Sequence, residues 1–358
     1  MRTIGVLLTE RTYQSIKKGT PPRSITFYEE VASLNKLSIV YTCPSQINEN
    51  YVETGLAYDA NLKTFHEKSC PLPSIFYNRS NFNNSKSIKK VSTLTQTNIV
   101  VFNAIPFRNG KHKINNILQG YDMINKHLPK TAMTSETSLF KMMKKYSMLI
   151  LKPCHGSKGK GIMSLEEINQ NEWLLIYQTK NGNKNEIADK QEIVKLIMNK
   201  INEKKYITQE KIKLTTIDDR PFDIRVILQK NDQGDWNVTE MLGKLAAKGE
   251  FVTNVGHRGE FDLLESYLRN HPSLSSSSIM VQLEQLSKLI AFKLEEHCFL
   301  LGDLGFDFGV TNEGKVYFIE CNFRSQYNML KSKENLYYLW KQIHTQPILY
   351  ANFLLNNH

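Results

Sequence analysis

The chain has 358 residues, 41% of them hydrophobic and 23% charged, with a formal net charge of +11. That is ordinary globular composition, long enough for two or three domains, and no apolar run approaches a membrane span. The basic balance invites nucleic acid, but the lysines are scattered and no segment interleaves aromatic and basic residues as a nucleic-acid module does, so that partner is disfavoured.

In chain order, the opening apolar run Ile4–Leu8 is too short for a signal peptide and predicts a first β-strand. A helical stretch around Phe27–Asn35, a strand at Leu37–Tyr41, a strand ending at Tyr77-Asn78-Arg79 and a short run at 99–103 follow. Strands alternating with helices predict an α/β unit with a parallel sheet over 1–127. A second unit, 128–207, holds an amphipathic helix (135–145), a strand ended by Pro153, and a lysine-rich helix at 190–205 leading to strand 206–210. The last unit, 208–358, is α+β: a hairpin of 222–229 and 236–242, a long helix from Ile279 to His297, a second hairpin, and a closing stretch (334–355) that is helical in parts. Five cysteines (Cys43, Cys70, Cys154, Cys298, Cys321) form an odd set without metal-type spacing, which predicts free thiols in a reducing cytoplasm.

The second hairpin of the last unit, Asp307 to Asn322, carries the clearest chemistry. Its strands flank an Asn-Glu-Gly turn, and Glu320 and Asn322, two apart, leave the same strand face, where Asp307 can meet them across the hairpin. Two carboxylates and an amide oxygen suit Mg²⁺ together with nucleotide phosphates. Val316, Phe318 and Ile319 mark the strand as otherwise buried, and buried acids need partners. Alternation points Cys321 away from this set, which argues against a thiol nucleophile.

A second constellation is Lys152 at a strand end, followed by the loop His155-Gly156-Ser157-Lys158-Gly159-Lys160-Gly161. Glycines bring backbone N–H groups close to an anion and lysine adds a point charge. The order GxxGxG is neither a P-loop nor a dinucleotide fingerprint, and alone it is equally well a tight turn. In Pro221–Val226, alternation puts Asp223 and Arg225 on one face. Such an arginine suits bidentate carboxylate or phosphate recognition, unless the two form a surface pair of little energetic value. Gln209, Glu210, Lys211 and Ile212 cross from the second unit to the third, a natural hinge against which a purine could lie.

Taken in order, these residues resemble the ATP-grasp superfamily of carboxylate–amine ligases over about 128–330. The runs Leu151–Ile162, Asp223–Trp236 and Phe251–Asn254, with Tyr77-Asn78-Arg79, are similar to the YheC/YheD endospore coat-associated family. The resemblance implies an N-terminal pre-ATP-grasp domain before a two-lobed ATP-grasp fold. It implies ATP and Mg²⁺ as cofactors: Lys152 on the phosphates, Gly156, Ser157, Gly159, Lys160 and Gly161 as a lid over them, and 209–212 around the adenine. Asp307, Glu320 and Asn322 would carry the metal, with Arg225, Lys244 and Arg324 at the reacting groups. Lys244 stands where relatives often have an arginine, and Arg324 is a candidate anion contact. The implied reaction joins a small-molecule or peptide carboxylate to an amine through an acyl phosphate, in the cytoplasm or associated with the spore. Two alternatives remain open: a spore-coat structural or nucleotide-sensing protein with an idle site, and an ATP-grasp kinase. A stable phosphorylated product would mark the kinase.

Overall fold

The computed structural model describes residues 2–80, 85–104, 110–154, 159–180, 182–202, 204–249, 259–269, 271–297, 300–324 and 327–358. Of the residues singled out above, His155, Gly156, Ser157, Lys158, the run 251–254 and Cys298 lie outside them. The fold is mixed α/β, with three six-stranded sheets.

The first sheet contains β1 (Arg2–Leu7), β2 (Leu37–Thr42), β3 (Tyr51–Asp59), β4 (Thr64–Pro71), β5 (Ile75–Asn78) and β6 (Val100–Phe102). Its order is β4-β3-β2-β1-β5-β6. The expected parallel arrangement holds for β2-β1-β5-β6. The antiparallel β3–β4 edge was not foreseen, because most β4 side chains are exposed and give no apolar signal. The closing helix Tyr337–Asn357 packs on this sheet as well as on the turns before it: Ile348, Tyr350 and Ala351 share one core with Ile4 and Tyr77, and Leu339, Trp340 and Ile343 share another with Tyr327 and Leu330. The ring of Phe27, in helix Arg23–Leu34, meets Trp340 edge-on at 4.9 Å between centroids.

In this core the Tyr41 hydroxyl donates to Glu29 at 2.6 Å, and burial pushes the Glu29 carboxyl from 4.5 up to about 7. A carboxyl raised by folding keeps its proton in the native state while the unfolded chain ionises. Stability therefore falls as pH rises from 4.5 to about 7 and stays reduced above that. Glu29→Gln is expected to raise the melting temperature by roughly 4–8 °C at pH 8 and hardly at all near pH 4.5. Equal shifts at both pH values, by calorimetry, would exclude this titration.

The second sheet is antiparallel, ordered β11-β10-β9-β8-β12-β7. It comprises β7 (Thr131–Met133), β8 (Met148–Pro153), β9 (Met163–Glu167), β10 (Glu172–Thr179), β11 (Gly182–Asp189) and β12 (Tyr206–Glu210). Helices Glu136–Lys145 and Lys190–Ile201 cover one face, burying Leu149, Leu151 and Leu165 with Leu139 and Ile197. Ser135 opens the first helix with a capping box; Asp189 caps the second by accepting from the N–H groups of Gln191 and Glu192. The second helix stops short of its expected end because Asn202 turns left-handed, with φ of 38°. By alternation, the uncovered face of the sheet carries the residues between the buried leucines.

The third sheet holds β13 (Thr216–Ile217), β14 (Arg220–Lys230), β15 (Trp236–Leu245), β16 (Glu260–Leu263), β17 (Asp303–Val310) and β18 (Val316–Asn322). The order β16-β15-β14-β17-β18 is antiparallel throughout, with β13 paired to β14. Helix Ser276–Glu295 packs on one face through Leu283, Ile290 and Leu294. Every residue of β17 is buried, as a central strand requires.

Candidate functional site

Strand pairing assembles the acid centre. Arg225 on β14 lies opposite Asp307 on β17, which lies opposite Glu320 on β18, while Asp223 lies opposite Lys244 on β15. A bulge after Asp307 leaves Ile319 without an opposite residue. Asn322 and Glu320 therefore come to the Asp307 side: the Asn322 amide nitrogen is 3.3 Å from Asp307 Oδ2. Cys321 and Phe323 instead pack against the helix-covered core, as alternation requires.

Asp307 is held by two cations. Arg225 Nε donates to Oδ1 at 2.6 Å and its Nη2 donates to Oδ2 at 2.9 Å, a bidentate fork. Lys244 Nζ donates to Oδ1 at 3.1 Å and pairs with Asp223 Oδ1 at 2.7 Å. The group is buried, with Asp307 5% and Lys244 7% exposed, so the surface-pair reading of Asp223 and Arg225 fails. Lys244 is a partner of Asp223 across the β14–β15 pairing. Two acids and two bases balance, which a low-dielectric setting demands. Burial alone would raise the Asp307 carboxyl, but Arg225 and Lys244 hold it well below the ordinary carboxylate value. Burial likewise pulls on both bases, and the carboxylates outweigh it, keeping Arg225 and Lys244 charged.

The donor set fits a hard divalent cation, with two carboxylates in register and an amide beside them. The oxygens of Asp307 are meanwhile shared with Arg225, Lys244 and Asn322. A metal here requires those contacts to loosen, most simply by the cations turning to phosphate oxygens.

On the second sheet, Lys152 and Gln209 come together: Lys152 Nζ donates to Gln209 Oε1 at 2.8 Å, and Gln209 Nε2 donates to Thr131 Oγ1 at 2.9 Å. Both lie on the face opposite the leucine core. Gly159 and Gly161 adopt φ of 72° and 77°, the left-handed region that favours glycine. A Cβ at Gly161 would lie 2.9 Å from the Tyr206 hydroxyl, so the loop returns close against β12. Lys160 is exposed. Lys211 turns back to β9, donating to Ser164 Oγ at 3.0 Å and pairing with Glu166, an anchor the sequence reading missed. The hinge backbone is fastened to both sheets, Lys211 N donating to Met148 O at 3.0 Å and Thr215 N to Val310 O at 2.7 Å. Gly309 permits this, since a Cβ there would lie 2.4 Å from Leu214. A cavity of about 440 Å³ opens beside the hinge, lined by Met148, Glu210, Lys211, Ile212, Thr311 and Tyr317.

Among the described residues Arg324 forms no hydrogen bond or ion pair with Asp307, and its Nε is buried without a hydrogen-bond partner there. A polar network that the sequence reading also missed lies near it. Asp303 accepts from Tyr77 Oη at 2.8 Å and Gln229 Nε2 at 3.0 Å, and Arg79 Nη1 is 3.8 Å away. Asn103, at φ of 58°, donates to the carbonyls of Asp303 (2.7 Å) and Phe323 (3.0 Å). The one advance signal was the polar end of the apolar strand at Tyr77-Asn78-Arg79.

Residues 98–354 match the YheC/D like ATP-grasp family. The chain is 24% identical over 356 residues to the endospore coat-associated protein YheD of Bacillus subtilis, covering 95% of this chain and 76% of that protein. It is 19% identical over 272 residues to YheC of the same organism, covering 74% of each. Among solved structures, the ATP-grasp ligase PsnB complexed with a minimal precursor superposes with a TM-score of 0.53 at 12% identity, covering 98% of this chain and 100% of that one. The macrocyclase MdnC bound with precursor peptide MdnA, from Microcystis aeruginosa, gives a TM-score of 0.51 at 11% identity, covering 98% and 99%. At such identities the structural likeness establishes the fold.

Proposed function

The chain belongs to the YheC/D-like ATP-grasp family, and from that premise we propose that it is an ATP-dependent ligase joining a carboxylate to an amine. The observation that carries this reading is the buried, charge-balanced set Asp223–Lys244–Asp307–Arg225 with Glu320 in register opposite. A framework alone has no use for so many charges on adjacent strands, since apolar side chains of similar volume are often as stable.

In this reading the adenine lies in the cavity beside residues 210–212, and the triphosphate runs past Lys152 toward β17 and β18. The glycine loop closes over it and excludes water. Asp307, Glu320 and Asn322 would hold Mg²⁺, which would neutralise charge on the phosphates. A substrate carboxylate oxygen attacks the γ-phosphorus and ADP leaves, giving an acyl phosphate. The amine then attacks the acyl carbon, inorganic phosphate leaves, and the nitrogen gives up a proton. Arg225 and Lys244 offer their charge to the oxygens of the transferring group, and the two bases keep that charge at any physiological pH. Small-molecule or peptide acids and amines are the substrate class. The relatives' description as endospore coat-associated supports placement with the spore; none of the described helices is long and apolar enough to cross a membrane.

The test begins with calorimetry of Mg²⁺ and a non-hydrolysable ATP analogue. Wild type should bind, and Lys152→Met should bind about 10–100-fold more weakly, the worth of one charge-assisted contact, with an unchanged melting temperature. No heat with wild type would exclude the nucleotide site. Binding without turnover, for any acid and amine pair, would favour the idle site, and a phosphorylated end product would favour a kinase.

A further inference from the structure

Strand register on the open face of the second sheet lines up Thr131, Gln209 and Lys152. Thr131 on β7 lies directly opposite Gln209 on β12, and Gln209 lies opposite Ile150 on β8. Lys152 is two residues beyond Ile150, so it leaves the same face and meets Gln209 on the diagonal, within reach of two long side chains. The contacts follow from this. Thr131 Oγ1 donates to Pro129 O at 2.9 Å, Gln209 Nε2 donates to Thr131 Oγ1 at 2.9 Å, and Lys152 Nζ donates to Gln209 Oε1 at 2.8 Å.

The proton count allows this orientation of the amide and no other. A hydroxyl has a single proton. Thr131 gives it to the Pro129 carbonyl, so toward Gln209 its oxygen can only accept. The amide nitrogen of Gln209 must then face Thr131, and its carbonyl oxygen faces Lys152, whose ammonium can only donate. Gln209 is 5% exposed, so water competes little for either end. The backbone holds the same frame: Glu210 N donates to Lys130 O at 2.8 Å, and Lys130 N donates to Glu210 Oε2 at 3.3 Å. Because its acceptor is an amide, Gln209 fixes the direction of the ammonium without cancelling its charge. The hinge lysine is held differently, since Lys211 is paired with the carboxylate of Glu166.

We propose that Thr131 and Gln209 are positioning residues that aim the Lys152 ammonium at the phosphates of the nucleotide. Gln209 then acts through the lysine and not on the adenine, the role that the family resemblance implied for it. The destination of the lysine rests on the nucleotide reading above; the aiming rests on the contacts themselves. A free lysine spreads its charge over many rotamers, and one already held loses less entropy when phosphate arrives. An ammonium has several N–H donors, so the bond to Gln209 persists while the others turn to phosphate oxygens.

The test is calorimetry on the full chain with two ligands, a non-hydrolysable ATP analogue with Mg²⁺ and adenosine. Thr131→Val keeps the shape and removes the hydroxyl. It should weaken the analogue about three- to tenfold, the worth of one hydrogen bond, and leave adenosine binding unchanged. Gln209→Leu should do the same, and Thr131→Ser should bind as wild type does. In a Lys152→Met background Thr131→Val should cost nothing further, because the group through which it acts is gone. A second loss of the same size in that background would make Thr131 a framework residue and overturn the proposal, as would an analogue affinity that Thr131→Val leaves unchanged. Adenosine affinity falling in step with the analogue in Gln209→Leu would return Gln209 to the base and overturn it as well. A readout without nucleotide separates the two claims. Acylation of Lys152 by an activated ester, mapped by mass spectrometry, should be faster in Thr131→Val and Gln209→Leu by a similar factor, since the ammonium must leave its acceptor before it can lose a proton and react. Faster acylation in proteins that bind no nucleotide removes the ligase reading and leaves the aiming of Lys152. Unchanged acylation with nucleotide binding intact removes the positioning and leaves the ligase reading.

Discussion

Asp307→Asn is expected to abolish ATP turnover and to lower stability by about 3–5 kcal/mol. The substitution keeps the shape of the side chain and removes its charge. Wild-type Asp307 accepts from Arg225 at 2.6 and 2.9 Å and from Lys244 at 3.1 Å. An asparagine leaves both bases buried with Asp223 as the remaining acid of the set, and its amide N–H groups face guanidinium N–H groups. The loss should be pH-dependent. The folded Asp307 carboxyl lies below its ordinary value of 3.8, so its contribution is complete above that pH and fades as the pH falls below it. Denaturant melts of the two proteins should therefore differ most at neutral pH and converge in acid. A variant as stable as wild type at pH 7 would mean that the ion-pair set contributes nothing net, and turnover within about twofold of wild type would remove Asp307 from the reaction.

Glu320→Gln separates chemistry from folding. Glu320 is half-buried on β18, opposite Asp307, whereas Asp307 itself is 5% exposed and gripped by Arg225 and Lys244. Its replacement should change stability by about 0.5 kcal/mol or less. Phosphate release in the presence of acid and amine should nevertheless fall by about 10²–10³, the usual effect of removing one group that stabilises transition-state charge. Side by side, the two variants divide the site: one acid serves both the framework and the reaction, the other the reaction alone. A Glu320→Gln protein with normal turnover would remove the metal-binding role, and one as unstable as Asp307→Asn would make Glu320 a framework residue.

The hairpin from Asp307 to Asn322 was legible because its signals are local. Alternation sets the faces, the Asn-Glu-Gly turn sets the register, and an acid on an apolar strand announces that it has a partner. The strand lysine and hinge were legible for the same reason, and Lys152 does meet Gln209. The partner of Asp307 was not legible. Arg225 and Lys244 lie on strands 82 and 63 positions away in the chain, and nothing in a two-residue period states which strand will lie beside which. The β3–β4 edge was missed because an exposed edge strand needs no apolar pattern. The closing helix was expected, but not its packing on the first sheet, since an apolar face does not name the surface that covers it.

The sequence by itself determined the family and the fold class and named the candidate groups, because periodicity, turn residues and charge on apolar strands are encoded within a few neighbouring positions. The tertiary structure alone decided which of those groups neutralise one another. It pairs Asp307 with Arg225 and Lys244, sets Asp303 beside Tyr77 and Arg79, and, among the described residues, leaves Arg324 Nε without a hydrogen-bond partner. Charge balance in a buried site is a sum over strands brought together by sheet order, and sheet order is settled by the packing of the whole chain.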